Sequence, residues 1–292
     1  MKRILFLCTA FCLAAALCAG NASAQWIKPI NGLTLPLDAP VDIELVLPSE
    51  PLEYQTYIPR SSGLSPLGDA IGAANMHRME DKHLRPALAR LNAGMPHEHR
   101  ADALAAAIRR ELDASGVIKV GELRIHRGIS LADLPRDDPG RNVLLLIARH
   151  ELETGFTALA VSLDARYGPR SEVLARGDRT PKLVFAQTMT HRQPRVAHSG
   201  KSGGLFGWME VAAQDWETTG PETISRHIDA GQQEVAAMLA YELQRKPRFG
   251  RIAGKQYAVE TTYGVIETRV GDRAWLRLRN GRISSLPLSE VE

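Results

Sequence analysis

The sequence predicts an α+β protein: a central α/β domain in which an antiparallel meander is flanked by helices, plus a small C-terminal β unit. Three observations predict it. Apolar residues recur every three or four positions through 67–90, 98–115 and 224–243, the period of a half-buried helix. Between the second and third of these stretches, strand patterns succeed one another across glycine and proline turns. Beyond Pro247 the period is two, with the hairpin dipeptide Asn280-Gly281 between two runs.

The chain has 292 residues and opens with Lys2 and Arg3, an apolar stretch from Ile4 to about Gly20, and then Asn21-Ala22-Ser23-Ala24. Small residues three places before and directly before a cut after Ala24 fit a secretory signal. Residues 1–24 are therefore expected to be removed, leaving a protein of the bacterial periplasm. An uncleaved anchor is the competing reading. The run is Ala-rich and short beside the ~20 strongly apolar residues of a span. Lipid attachment needs Leu three places before the cysteine and a small residue directly before it, and none of Cys8, Cys12 and Cys18 has both.

All three cysteines leave with that segment, so the mature chain has no thiol in a compartment where disulfides are permitted. Thiol catalysis and thiolate-metal sites are thereby excluded. Of 36 basic residues the segment removes two, and of 33 acidic residues none, so the formal charge falls from +3 to +1. That balance argues against a nucleic-acid partner. No second apolar run has spanning length, so no transmembrane segment is expected after processing.

From 25 to 65 the chain is rich in proline and poor in charge. Val41 to Leu47 alternates apolar and acidic residues, a half-buried strand pattern, and Pro48, Pro51, Pro59 and Pro66 interrupt the chain after it. This stretch reads as an extended arm lying on the central domain, which runs from 66 to 247. The domain begins with helical periodicity from Leu67 to Arg90, which Pro86 kinks or splits. A second helix runs from Glu98 to Ser115 with Ala101, Leu104, Ala105, Ile108 and Leu112 on one face, and Gly116 ends it. Val117 to Ile125 is a strand. The meander comes next: Asn142 to Leu152, with an unbroken apolar run typical of burial on both faces, then Ala158 to Tyr167 and Lys182 to His191. Glu210 to Thr219 suits a short helix. The long helix carries Ile224, Ile228, Val235, Met238, Leu239 and Leu243, with one gap in the repeat between Ile228 and Val235. The β unit of 248–292 has strands at Tyr257–Glu260, Gly264–Val270, Ala274–Arg279 and Arg282–Leu286. Within it, alternation through Trp275-Leu276-Arg277-Leu278-Arg279 suggests one packed face and one basic face.

Local motifs carry little chemistry. Gly200-Lys201-Ser202 matches the end of a phosphate-binding loop, but the required earlier glycine is Arg195. Gly200 to Gly204 also satisfies the nucleophile-elbow pattern, without the buried strand that must lead into it. His227 is the base that pattern would leave, with Asp215 to orient it. His97-Glu98-His99 spaces its imidazoles wrongly for one helical face. His77, Glu80 and His83 would form a metal site only with further carboxylates and a second Glu-x-x-His, which the chain lacks. No catalytic residue, metal ligand or cofactor is named from these.

The stretch 191–207 is the candidate ligand site. His191, Arg192, Arg195, His198 and Lys201 set donors beside Gly200, Gly203, Gly204 and Gly207, and Trp208 comes directly after. Backbone amides at such glycines approach an anion closely. An anion- or headgroup-binding loop, a contact with a partner, and a simple solvated excursion all fit the composition.

Val143 to Leu163, Gly207 to Leu243 and Trp275 to Pro287 together resemble a group of uncharacterised secreted proteobacterial proteins. The middle stretch sets Trp216 ahead of a helix ending in Met238-Leu239-Ala240-Tyr241-Glu242-Leu243. The order helix, strand, buried strand, meander, long helix is more remotely similar to periplasmic α/β domains of the TolB N-terminal and curli-secretion types. The Pro-rich entry and the β tail are additional to that order. The first resemblance brings no activity with it. The second implies service in envelope assembly through protein contacts, without catalysis. The expected function is thus a non-enzymatic envelope component with a protein or membrane-assembly partner. The alternative is an enzyme or receptor for an anionic envelope ligand, working through the 191–207 loop.

Overall fold

A computed structural model describes residues 39–55, 66–96, 98–153, 156–175, 181–194, 207–245, 256–259 and 262–291. Among them, ten strands form one mixed sheet with the longer helices on one face, an α+β fold. The strands are β1 (Val41–Leu47), β2 (Glu53–Tyr54), β3 (Val120–Arg127), β4 (Asn142–Leu152), β5 (Leu159–Pro169) and β6 (Phe185–Arg192). They continue with β7 (Gln256–Val259), β8 (Thr262–Val270), β9 (Arg273–Leu278) and β10 (Ile283–Pro287). The helices are α1 (Pro66–Met79), α2 (Arg85–Gly94), α3 (Arg100–Ser115), the single turn α4 (Arg170–Val173), α5 (Gly207–Thr219) and α6 (Pro221–Gln244).

The spatial order is β3-β1-β4-β5-β6-β10-β9-β8-β7, with β2 also paired to β4. The meander β4-β5-β6 is antiparallel as its pattern predicts, with Leu146 opposite Ala165 and Leu163 opposite Met189. The strand read as part of a surface arm lies inside the sheet, parallel to both β3 and β4. The reason is in its alternation. Ile43, Leu45 and Leu47 enter the main core, while Asp42 and Glu44 point to the other face and meet Arg141 and Arg170. Pro48 stops it, and beyond it the Asn92 side chain takes a strand's place, bonding both the N–H and the carbonyl of Leu52 at 2.9 Å. The C-terminal strands share the sheet as well, because β10 runs parallel to β6 with Ile283 beside Met189.

The first helix divides where Pro86 foretells. Glu80–Leu84 forms one π-helical turn between α1 and α2, which absorbs the ring and the missing N–H. α3 ends at Gly116, at φ 60°, whose N–H bonds the Leu112 carbonyl at 3.1 Å. Glu210 to Thr219 proves to be the greater part of α5. None of the described helices is long and apolar enough to cross a membrane.

Helices α2, α3, α5 and α6 bury their apolar faces against Leu144, Leu146, Leu152, Val161, Leu163 and Met189. Each fully buried Leu, Ile or Val contributes about 1.5–3 kcal/mol to that layer. The opposite face carries two smaller cores. Leu134, Val173 and Leu174 cover Val46, Val143, Leu145 and Ile147 at one end, and Val291 packs with Ala274, Leu276 and Leu286 at the other. Between them the sheet presents Arg149, Ser162, Asp164, Arg166, Thr188 and Thr190, a half-buried polar strip.

Candidate functional site

Two of the predicted ligand residues end β6, where that strand meets α6 and the β9–β10 hairpin. Their position depends on a close approach. Gly231 of α6 sits so near β5 that a Cβ there would lie 2.6 Å from Cγ2 of Val161 and 3.0 Å from the His191 ring. The helix therefore comes in backbone-first, and Glu234, one turn on, reaches the strands.

Glu234 gathers the site. One carboxylate oxygen accepts from the Trp275 indole N–H at 2.7 Å and from the Ser285 hydroxyl. The other is bonded to His191 Nδ1 and lies 3.1 Å from Arg273 Nε. Arg273 Nε also donates to the Ser285 hydroxyl at 2.8 Å. On the far side of the imidazole, the Gln193 amide donates to His191 Nε2 at 2.7 Å, which assigns the ring proton to Nδ1. Burial alone would raise the Glu234 pKa, but the bonds from His191, Ser285 and Trp275 bring it down to about 2. Burial, with the Arg273 charge, lowers the His191 pKa against the pull of Glu234, so the imidazole is neutral and Arg273 is the counter-ion. Burial and then the Arg226, His191 and Arg273 groups lower the pKa of neighbouring His227 too.

The chemistry this arrangement allows is narrow. Ser285, His191 and Glu234 are the residue types of a nucleophilic triad, but the serine and the imidazole each bond the carboxylate. A nucleophile must touch its base. Ser285 is also fully buried in the sheet. The cluster joins β6, α6, β9 and β10.

Arg192 is buried at the same strand end and pairs with Glu153, its carbonyl accepting from Arg273. Trp208, near the start of α5, is half-buried against the main core. Arg195, His198 and Lys201 lie outside the described residues, as do Gly200 to Gly204 with both motifs they form, and His97. Asp215 lies on α5. His77 Nδ1 is 3.1 Å from Glu80. No group of three His, Cys, Asp or Glu disposed to hold a metal occurs among the described residues.

The sequence reading missed Glu234, Arg273 and Ser285. The one signal was the gap in the apolar repeat of α6, which holds Gly231, Gln232 and Glu234. A break of that kind in a core-facing stripe marks buried polar contacts or a close backbone approach, and here it marks both. The tail alternation was also misread. Arg277 faces α6 together with Trp275, while Leu276 and Leu278 face the small core. Of the expected basic face, Arg277 is thus in a buried ion pair, while Arg279 lies over the Tyr263 ring.

No protein-family model, curated protein or solved structure matches the chain.

Proposed function

We propose that the protein is an exported, periplasmic, non-enzymatic component of the cell envelope that holds a partner protein along β3. The observation that carries this reading is the place of β3 in the sheet. It is eight residues long, is paired on one side to β1, and forms a margin of the sheet of described residues. Leu123 and Ile125 anchor it to the main core, and exposed Glu122, Arg124 and Arg127 project from it. A strand held rigidly from one side offers its other side as a template for an extended segment of a partner, which would add as an eleventh strand. The charged side chains fit a margin kept from pairing indiscriminately. The buried cluster around Glu234 supports a binding role over catalysis, since its polar groups satisfy one another. Lys2, Arg3, the apolar run and Ala22/Ala24 support export.

The test is site-specific photo-crosslinking in cells, with the crosslinker at Glu122 or Arg124 of β3 and, as a control, at exposed Arg269 of β8. One and the same partner captured from both β3 positions and not from 269 supports the reading. Crosslinks only within the chain itself, or the same products at all three positions, overturn it.

A further inference from the structure

The polar strip on the face opposite the long helices contains a recess of about 330 Å³ over β5, β6 and the β9–β10 turn, lined by Asp164, Arg166, Ala186, Thr188, Asn280 and Arg282. Its floor is low because Ala186, an exposed residue, stands opposite Arg166 where every neighbour on the strip is larger. Arg166 on β5 and Arg282 at the entry to β10 flank β6 from either side. Their backbones are two strand spacings apart, about 10 Å across the sheet, a gap that two arginine side chains reaching over Ala186 can span.

The charges are uneven. Asp164 is the one carboxylate among the described residues that line the recess, and it already has partners: Arg149 at 3.3 Å on one oxygen and the Thr188 hydroxyl at 2.6 Å on the other. Among the described residues, neither the Arg166 nor the Arg282 guanidinium has an ion pair or hydrogen bond. Asn280 accepts the Arg282 backbone N–H at 3.0 Å through its side-chain oxygen, which leaves the amide N–H groups as donors at the rim. Gln187, whose side chain faces the helices, bonds the Gly281 carbonyl at 2.8 Å and ties the β9–β10 turn to β6. The recess therefore sets two guanidinium groups without a partner among the described residues next to one carboxylate that is already engaged by Arg149 and Thr188.

We infer that this recess binds a tetrahedral oxyanion of the phosphate-ester class, held between Arg166 and Arg282 with the Asn280 amide as a third donor. Planar guanidinium forks suit phosphate oxygens, and the small side chain of Ala186 leaves room between the two arginines for an acceptor-rich anion. The site lies on a different strand end and a different face from the Glu234 cluster, and it does not depend on partner binding at β3. A phosphorylated lipid headgroup and a soluble phosphate ester present the same chemistry.

The experiment is calorimetric titration of the whole protein with inorganic phosphate at constant ionic strength, with chloride as the control, and flotation with vesicles containing phosphatidic acid. The wild type is expected to bind phosphate, and Arg166→Ala or Arg282→Ala to weaken it about tenfold each, the loss of one charge-assisted contact. Ala186→Glu, which fills the recess with a competing carboxylate, is expected to abolish binding at unchanged stability, and Arg269→Ala to leave it intact. Binding to both phosphate and vesicles assigns a headgroup, and binding to phosphate alone a soluble ester. No phosphate binding by the wild type, or equal binding by the recess variants, overturns the inference.

Discussion

Arg277 of β9 and Glu242 of α6 form a two-pronged ion pair in which neither side chain is reached by solvent. Around it the Gly281 carbonyl accepts from Nη1 at 3.0 Å, and Glu267 stands 3.3 Å from Nε and 3.1 Å from Arg245. Two carboxylates and two guanidinium groups thus balance at the junction of helix and hairpin. Burial would depress the Arg277 pKa, and Glu242 and Glu267 hold it above its ordinary value.

Removing one partner of this pair leaves the other as a buried, uncompensated charge. Arg277→Met alone, or Glu242→Leu alone, is expected to destabilise by about 3–5 kcal/mol, and the double variant by much less than the sum. Urea unfolding of the four proteins measures the coupling. Additive losses would show that the two residues act separately.

Gly231→Ala tests the close approach of α6. In an open helix the change would gain up to about 1 kcal/mol from propensity. Here the new methyl meets Val161 at 2.6 Å, so a net loss of about 1–3 kcal/mol is expected. Val161→Ala in the same chain should recover part of it, because it removes the Cγ2 atom in the way. Thermal unfolding of the single and double variants is the measurement.

His150 sits on β4 beneath α6, its Nε2 facing the Gln232 amide at 3.0 Å. Burial first, and the Arg100 charge second, lower its pKa from 6.5 to about 3. The unfolded chain therefore binds this proton before the folded one does. Stability is unaffected above pH 6.5 and falls by about 1.4 kcal/mol per pH unit as pH drops from there toward 3. His150→Gln, which cannot titrate, should make that limb shallower by one proton's share in denaturant midpoints taken across the range, with His191, His227 and Glu234 carrying what remains.

Glu234 contributes in a lower window. Its folded pKa of about 2 lies below the ordinary 4.5, so its stabilisation is complete above 4.5 and is lost as pH falls toward 2. Glu234→Gln should cost stability at neutral pH, by leaving Arg273 without its counter-ion, and should make the fall between 4.5 and 2 shallower by the share of one carboxylate. Retention of the wild-type acid limb by the variant would assign that limb to other carboxylates.

Local pattern made much of this fold legible. The period of α3 and α6, the stop at Gly116, the disturbance at Pro86 and the Asn280-Gly281 turn all depend on residues within one or two turns of each other. The meander was legible too, because antiparallel neighbours joined by short turns leave adjacent strand patterns. Two placements left no such trace. The insertion of β1 between β3 and β4 joins Glu44 to Arg170, 126 residues away, and β10 reaches β6 with Gln187 bonding the Gly281 carbonyl 94 residues on. Parallel pairing at such separations imposes no spacing on the intervening sequence. The candidate site fared likewise. His191 and Arg192 were visible as donors, but the carboxylates that take them come from α6 and from beyond β4.

The insertion of β1 also bears on the order of events in folding. Neither neighbour of that strand exists until the chain has extended through β3 and β4, so its buried face waits unpaired while the local helices are already free to form. Contacts this distant in sequence slow the search for the native state, to a timescale on the order of milliseconds to seconds for sheets rich in non-local pairs. Because β1 is paired on both sides, it ties the N-terminal end of the described chain to strands that follow it by about eighty to a hundred residues.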